Sequence, residues 1–332
     1  MASSTLHSKP SPWPVWTLQL LAVAFATWAL GAAYTLRVNP EIAFFRRADE
    51  LKQQWSADLS REHTNKTVVF GGSSCLTSIM PERLLERHGL AVANEGLGAA
   101  MGARVLTRYA FDSLQTGDTL IVALEPDLLS GTVELEPLGV QFAFATGQPA
   151  LLRGTSGVNW PSALVDLRPG GYHVFTLIGK ILLRQPLYRY APTEIEAGGW
   201  HHVAARRDLG TPGVPSVKLS AAGREWLRMI RDECARRQVR VAVTMPWHFC
   251  VPENLRATRR ANLRFLREVA EVLPVLREPS LGAHAVREHF ADTNMHPTAA
   301  AAALRTDEFA AALKAWSVWT VAEMDAHMAA LE

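Results

Sequence analysis

A strand pattern that keeps returning between helical stretches constrains this chain most. TVVF at 67–70, LAVAN at 90–94, TLIVAL at 119–124, VRVAVT at 239–244 and VL at 275–276 are short apolar runs. Between and after them lie helical patterns at 81–88, 99–114, 216–237, 255–272 and 297–316. Strands alternating with helices predict a parallel sheet with helices on both faces. TLIVAL is nearly continuous apolar, as a strand covered on both faces should be.

The rhythm breaks over about 130–215, which holds Gly131, Pro137, Pro149, Gly154, Trp160, Pro169, Gly170, Gly171 and Pro186. This stretch reads as an insertion between the third and fourth strands. Within it, residues 173–190 (HVFTLIGKILLRQPLYRY) form either a core-packing helix or a surface helix touching lipid or a partner.

Residues 15–36 read VWTLQLLAVAFATWALGAAYTL, 22 residues without a charge. At about 1.5 Å per residue that crosses a hydrocarbon core of roughly 30 Å. Trp13, Trp16 and Tyr34 sit near its ends, where amphipathic rings favour the interface. The expected organisation is a tail at 1–14, a transmembrane anchor at 15–36, a helical neck at 37–65 and an α/β domain at 66–332. A cleaved signal peptide is the rival reading, with Gly31-Ala32-Ala33 as its site. The neck, with Phe44, Leu51 and Trp55 near helical spacing, either lies on the membrane or packs on the domain. Arg37, Arg46, Arg47 and Lys52 follow the anchor, and only Lys9 precedes it. By charge alone that favours a cytoplasmic domain.

Net charge is +2, with basic residues scattered, which argues against nucleic acid as a partner. Cys75, Cys234 and Cys250 form no CxxC pair and read as buried small hydrophobes. His201-His202, or His284 and His289 with Asp292, lack zinc-ligand spacing, so no metal is expected. Gly96-Leu97-Gly98-Ala99-Ala100-Met101-Gly102 is one residue off a dinucleotide fingerprint and follows the second strand, so no cofactor is expected either.

Chemistry in a parallel sheet gathers at the carboxyl ends of the strands. The first strand ends in Gly71-Gly72-Ser73-Ser74-Cys75. A serine there sits at a helix N-terminus, whose free amides favour an oxyanion. It needs a histidine base oriented by a carboxylate. Asp292 and His296 supply both, just ahead of Pro297 and the last helix. Trp247 and His248, after the fourth strand, are groove candidates or sheet caps.

These residues resemble the blocks of the SGNH (GDSL-type) hydrolase superfamily. Phe70-Gly71-Gly72-Ser73 is similar to its Gly-Asp-Ser block, with Gly72 in the aspartate's place. Asn94-Glu95-Gly96 is similar to its Asn-x-Gly block, and Asp292 to His296, followed by Pro297-Thr298-Ala299 and Arg305-Thr306, to its last block. The membrane-anchored branch is closest in pattern; it includes the D-alanyl transfer protein of teichoic acids and the alginate O-acetylation proteins. The resemblance covers about 66–128 and 239–313. It implies a flavodoxin-like three-layer α/β/α domain with a parallel sheet of about five strands, preceded by one N-terminal transmembrane helix.

It further implies a serine esterase or O-acyltransferase with Ser73 as nucleophile, His296 as base and Asp292 as orienter. The implied oxyanion donors are the Ser73 and Gly96 amides, and the implied substrate is an envelope or exported polysaccharide. The implied place is a bacterial inner membrane, with the domain on the periplasmic side and a multi-spanning membrane O-acyltransferase as partner. Two features depart from the pattern. Three residues, not two, separate Asp292 from His296. The third-block asparagine is replaced in Leu124-Glu125-Pro126-Asp127, which leaves Asn94 or another donor to fill the oxyanion hole and Glu125 as a groove candidate. A non-catalytic accessory or glycan-binding subunit is the alternative reading.

Overall fold

The computed structural model describes residues 13–153, 159–169, 171–204 and 207–331. The first twelve residues of the tail, and Gly154 and Gly170 of the insertion, lie outside the described residues. The chain begins with α1 (Trp13–Arg37) and α2 (Pro40–Glu62), then β1 (Thr67–Gly71), α3 (Ser73–Ser78), α4 (Pro81–His88) and β2 (Val92–Asn94). It continues through α5 (Gly102–Asp112), β3 (Thr119–Ala123), α6 (Pro137–Ala145), α7 (Trp160–Asp166), α8 (Gly171–Leu182) and α9 (Ala221–Arg236). It closes with β4 (Arg240–Val243), β5 (His248–Phe249), α10 (Leu255–Ala270), β6 (Val275–Leu276), β7 (Ala283–His284), α11 (Ala299–Ala315), β8 (Val318–Trp319) and α12 (Val321–Ala330).

Six strands form the main sheet in the order β2-β1-β3-β4-β6-β8. The first five run parallel, and β8 pairs antiparallel with β6. Side chains alternate between two apolar cores, as a pleated strand requires. Val68 and Phe70 of β1, with Leu120 and Val122 of β3, face the larger core; Val69 and Ile121 face the smaller one with Phe309 and Ala310 of α11. The fold is therefore α/β with helices on both faces. The sixth strand is a departure from the expected pattern. Trp316 takes a left-handed φ of 43° at the end of α11, and the chain turns back to lay β8 along β6.

The neck packs on the domain. Asn39 caps α2 through its Oδ1, which accepts the Glu41 amide at 3.0 Å, and Pro40 takes the first helical position. Ile42, Phe44, Phe45, Ala48 and Leu59 are buried, and Trp55 Nε1 donates to the Val92 carbonyl at 3.0 Å. Lys52 is buried too, its ammonium on the Asn94 carbonyl. Burial pulls its pKa down to about 8, with Glu95 opposing.

The insertion divides. Val140, Phe142, Leu151 and Leu152 are fully buried in the larger core. The described part of α8 is not core: Phe175 is 77% exposed and Leu182 77%, which corrects the core-packing alternative. Helix α9 begins at Ala221 rather than 216, because the Ser220 hydroxyl accepts the Gly223 amide and caps it there. Helix α1 is long and apolar enough to cross a membrane, and little of it is buried.

Candidate functional site

Ser73 is the first residue of α3, where β1 has just ended against β3. Its turn is held by a carboxylate. Glu125, at the end of β3, accepts the Gly72 amide at 2.9 Å, the Ser74 amide at 3.0 Å and the Ser74 hydroxyl at 2.6 Å. A Cβ on Gly72 would stand 2.4 Å from Glu125 Oε2, so only glycine fits while Glu125 is there. A carboxylate from the end of the neighbouring strand thus holds this turn. Ser74 is committed to Glu125. Cys75 is buried, and burial pushes its thiol up to about 12, so it offers no thiolate at neutral pH.

At the other end of the chain, Asp292 and His296 are both buried in the loop before α11. Asp292 Oδ1 accepts from His296 Nδ1 at 2.9 Å. Oδ2 accepts from the Tyr190 hydroxyl at 2.7 Å and from Arg189 Nη1 at 2.8 Å. Burial disfavours the charge on Asp292, but these hydrogen bonds from His296, Arg189 and Tyr190 outweigh it and hold the carboxyl well below the usual range. With Nδ1–H given to Asp292, the imidazole lone pair is at Nε2. Behind the loop, the buried Arg305 of α11 donates to Glu278 Oε1 at 2.6 Å and Thr244 Oγ1 at 2.7 Å, pinning the helix to the ends of β4 and β6.

Ser73 and His296 line one cavity of about 470 Å³. The Ser73 hydroxyl makes no hydrogen bond to His296. Tyr190 and His201 share the cavity, their rings 4.6 Å apart. Burial pulls His201 down to about 4, so it is a neutral wall rather than a cation. Glu41 and Phe44 of α2, Lys180 of α8 and Leu187 complete one side.

Two of the three expected oxyanion donors, Asn94 and Gly96, are not free. Asn94 Oδ1 accepts the Gly96 amide at 2.8 Å. Asn94 Nδ2 donates to Cys75 O at 3.0 Å and Ile79 O at 2.7 Å. Both residues are buried and neither lines the cavity, so Asn94 and Gly96 are structural clamps on α3. Gly98, Ala99 and Ala100, two to four residues on, do line it. Of the amides at 72–74, the Ser73 one is left over after Glu125 takes its neighbours.

Three groove candidates fall elsewhere. Glu125 is engaged under the Ser73 turn. Trp247 is buried, its Nε1 donating to Glu308 Oε2 at 2.7 Å, its ring stacked on His284 at 4.3 Å. His248 lines a second cavity of about 420 Å³, reached from the same loop through Asn294 and Met295. Its Nε2 is buried without a partner among the described residues, and burial lowers its pKa to about 4. Sequence reasoning missed Arg189 and Tyr190 as supports of Asp292. The only signal was the basic-aromatic run at 187–190 (LYRY), which has no spacing that points to a distant aspartate. Among the described residues no group of three or more His, Cys, Asp or Glu is placed to hold a metal.

Comparison with family models, with curated proteins and with solved structures finds no match.

Proposed function

We propose that this is a membrane-anchored serine esterase or O-acyltransferase of SGNH type. One observation carries it: Ser73 and His296, 223 positions apart in sequence, line one cavity, with His296 bound through Nδ1 to a charged, triply held Asp292. The strand order β2-β1-β3-β4-β6 supports a flavodoxin-like arrangement, extended by the antiparallel β8.

In this reading Ser73 Oγ attacks an acyl carbonyl carbon while His296 Nε2 takes its proton. Asp292 stabilises the imidazolium through Nδ1–H. The oxyanion is met by the Ser73 amide and by the backbone at 98–100, in place of Gly96 and Asn94. His296 returns the proton to the leaving alcohol, and an acyl-Ser73 ester remains. Water, or a sugar hydroxyl deprotonated by His296, then takes the acyl group and frees Ser73. The substrate class is an O-acylated or acceptor polysaccharide of the cell envelope. The reading places the domain on the periplasmic side of a bacterial inner membrane, beside a multi-spanning O-acyltransferase. A C-terminal reporter active only outside the cytoplasm checks the side: a silent fusion sinks the envelope substrate.

The full-length protein in detergent should be labelled by a fluorophosphonate and should turn over p-nitrophenyl acetate, and Ser73→Ala should do neither. The second reading, a non-catalytic accessory or glycan-binding subunit, draws on the unpaired Ser73 hydroxyl and the spent donors of Asn94 and Gly96. It wins if wild type and Ser73→Ala are equally unlabelled and equally slow.

A further inference from the structure

Among the described residues outside α1, most of the exposed large apolar side chains fall between 160 and 187. In α7 they are Trp160 (48%), Leu164 (43%) and Val165 (55%); in and just after α8 they include Phe175 (77%), Ile178 (47%) and Leu182 (77%). Positions 175, 178 and 182 recur at helical spacing, so they make one stripe along α8. A contiguous apolar surface of this kind marks an interaction site rather than ordinary surface.

Two observations say what covers it. First, α7 is fastened to the anchor itself. Trp28 Nε1 donates to the Leu164 carbonyl at 2.7 Å, and Gly31 packs against Arg168 Cβ. Trp28 lies eight residues before Leu36, about 12 Å along the helix axis, so Leu164 sits beside the apolar span and not beyond its end. Second, the apolar stripe carries basic company. Lys180 is the one charge in α8, and Arg184 follows it, while Arg189 is held by Asp292. An apolar stripe with basic neighbours, tied to a membrane span, fits the interfacial layer of a bilayer with anionic headgroups.

We propose that α7 and α8 insert into one leaflet beside α1, α7 at acyl-chain depth and α8 toward the headgroups, so that the protein meets the bilayer over a second surface. Lys180, on the face of α8 opposite that stripe, lines the Ser73–His296 cavity, and Glu41, another lining residue, is four positions past the end of α1. The cavity therefore opens at the level of the lipid headgroups. A substrate carried on or in that leaflet reaches Ser73 without leaving the surface. The proposal rests on α1 being retained as an anchor.

The test uses the full-length chain in vesicles of phosphatidylcholine and phosphatidylglycerol. Single cysteines at Phe175, Ile178 and Leu182 carry an environment-sensitive fluorophore; Cys75, Cys234 and Cys250 are buried and leave a low background. Leu21→Cys reports the anchor, and Leu304→Cys, 50% exposed on α11, reports an aqueous surface. The expected result is blue-shifted emission at 175, 178 and 182 that doxyl-labelled lipids quench, with water-like emission at 304. Replacing Phe175 and Leu182 by glutamate should return the label at 178 to water-like emission and leave the label at 21 unchanged. Lipid-quenched emission at 21 with water-like emission at 175 and 182 overturns this surface alone. Water-like emission at 21 as well removes the anchor and the surface together. A blue shift at 175 and 182 that lipid quenchers do not touch means a protein covers the stripe, and overturns the proposal too.

Discussion

The two halves of the candidate site are built to different degrees. On the base side every polar atom of Asp292 is spent on orienting charge: His296, Tyr190 and Arg189 converge on one buried carboxylate. On the nucleophile side the polar groups are spent on holding the backbone. Glu125 binds Gly72 and Ser74, Asn94 binds Gly96 and Cys75, and the Ser73 hydroxyl between them has no hydrogen-bond partner among the described residues. One half stores its organisation in a charge network, the other in the shape of a turn. The difference teaches that the two should fail differently when changed.

Replacing the proposed nucleophile should erase the proposed acyl transfer. Ser73→Ala is expected to lower p-nitrophenyl acetate turnover by roughly a thousandfold or more and to abolish fluorophosphonate labelling, with unfolding by urea unchanged. Labelling that persists would move the chemistry elsewhere. On the base side, Asp292→Asn should cost about a hundredfold or more in kcat with little change in KM, since the imidazole loses its orienting charge.

Asp292 also gives a pH signature. Its folded pKa is depressed, so its contribution to stability is present above the ordinary aspartate value of about 3.9 and is lost as pH falls through the lower folded value. The Tm gap between wild type and Asp292→Asn should therefore be full at neutral pH and close only below about pH 4. A gap that closes between pH 7 and 5 would contradict the depressed carboxyl.

Glu125→Gln probes the other kind of failure. An amide in place of one carboxylate oxygen faces a backbone N–H or hydroxyl with a donor, and should cost about 1–3 kcal/mol in urea unfolding. Its acylation rate should fall in step with the loosened turn, without a shift in the pH profile. A pH shift would mean that Glu125 acts on the base side after all. Tyr190→Phe removes one of three donors to Asp292 and should lower kcat about tenfold, with labelling by fluorophosphonate slowed rather than lost. The smallest effect belongs to Trp247→Phe, which should leave acylation unchanged because that ring packs against His284 outside the cavity.

The backbone layout was legible where local pattern decides it. Continuous apolar runs bounded by turn residues marked the parallel strands, and the strand-end rule pointed to Ser73 and to the loop of Asp292 and His296. What was illegible depends on contacts between distant segments. The pairing of β8 with β6 follows from a two-residue strand too short to show a period. Arg189 and Tyr190 reach Asp292 across more than a hundred positions, and nothing local in their run announces that partner. Asn94 and Gly96 sit in the right stretch, but hydrogen-bond capacity is finite. Only the geometry shows that their donors are already used, and that residues 98–100 line the cavity instead.

The clash between a side chain at position 72 and Glu125 has an evolutionary consequence. Any substitution at 72 meets the carboxylate before it meets anything else, so the two positions cannot drift separately. An acidic side chain at 72 would meet the Ala99 Cβ, at 2.7 Å, as well as the Glu125 carboxylate, so shortening residue 125 alone would not make room for it. The turn is closed from two sides, by the end of β3 and by the stretch after β2, and a side chain at 72 calls for changes in both.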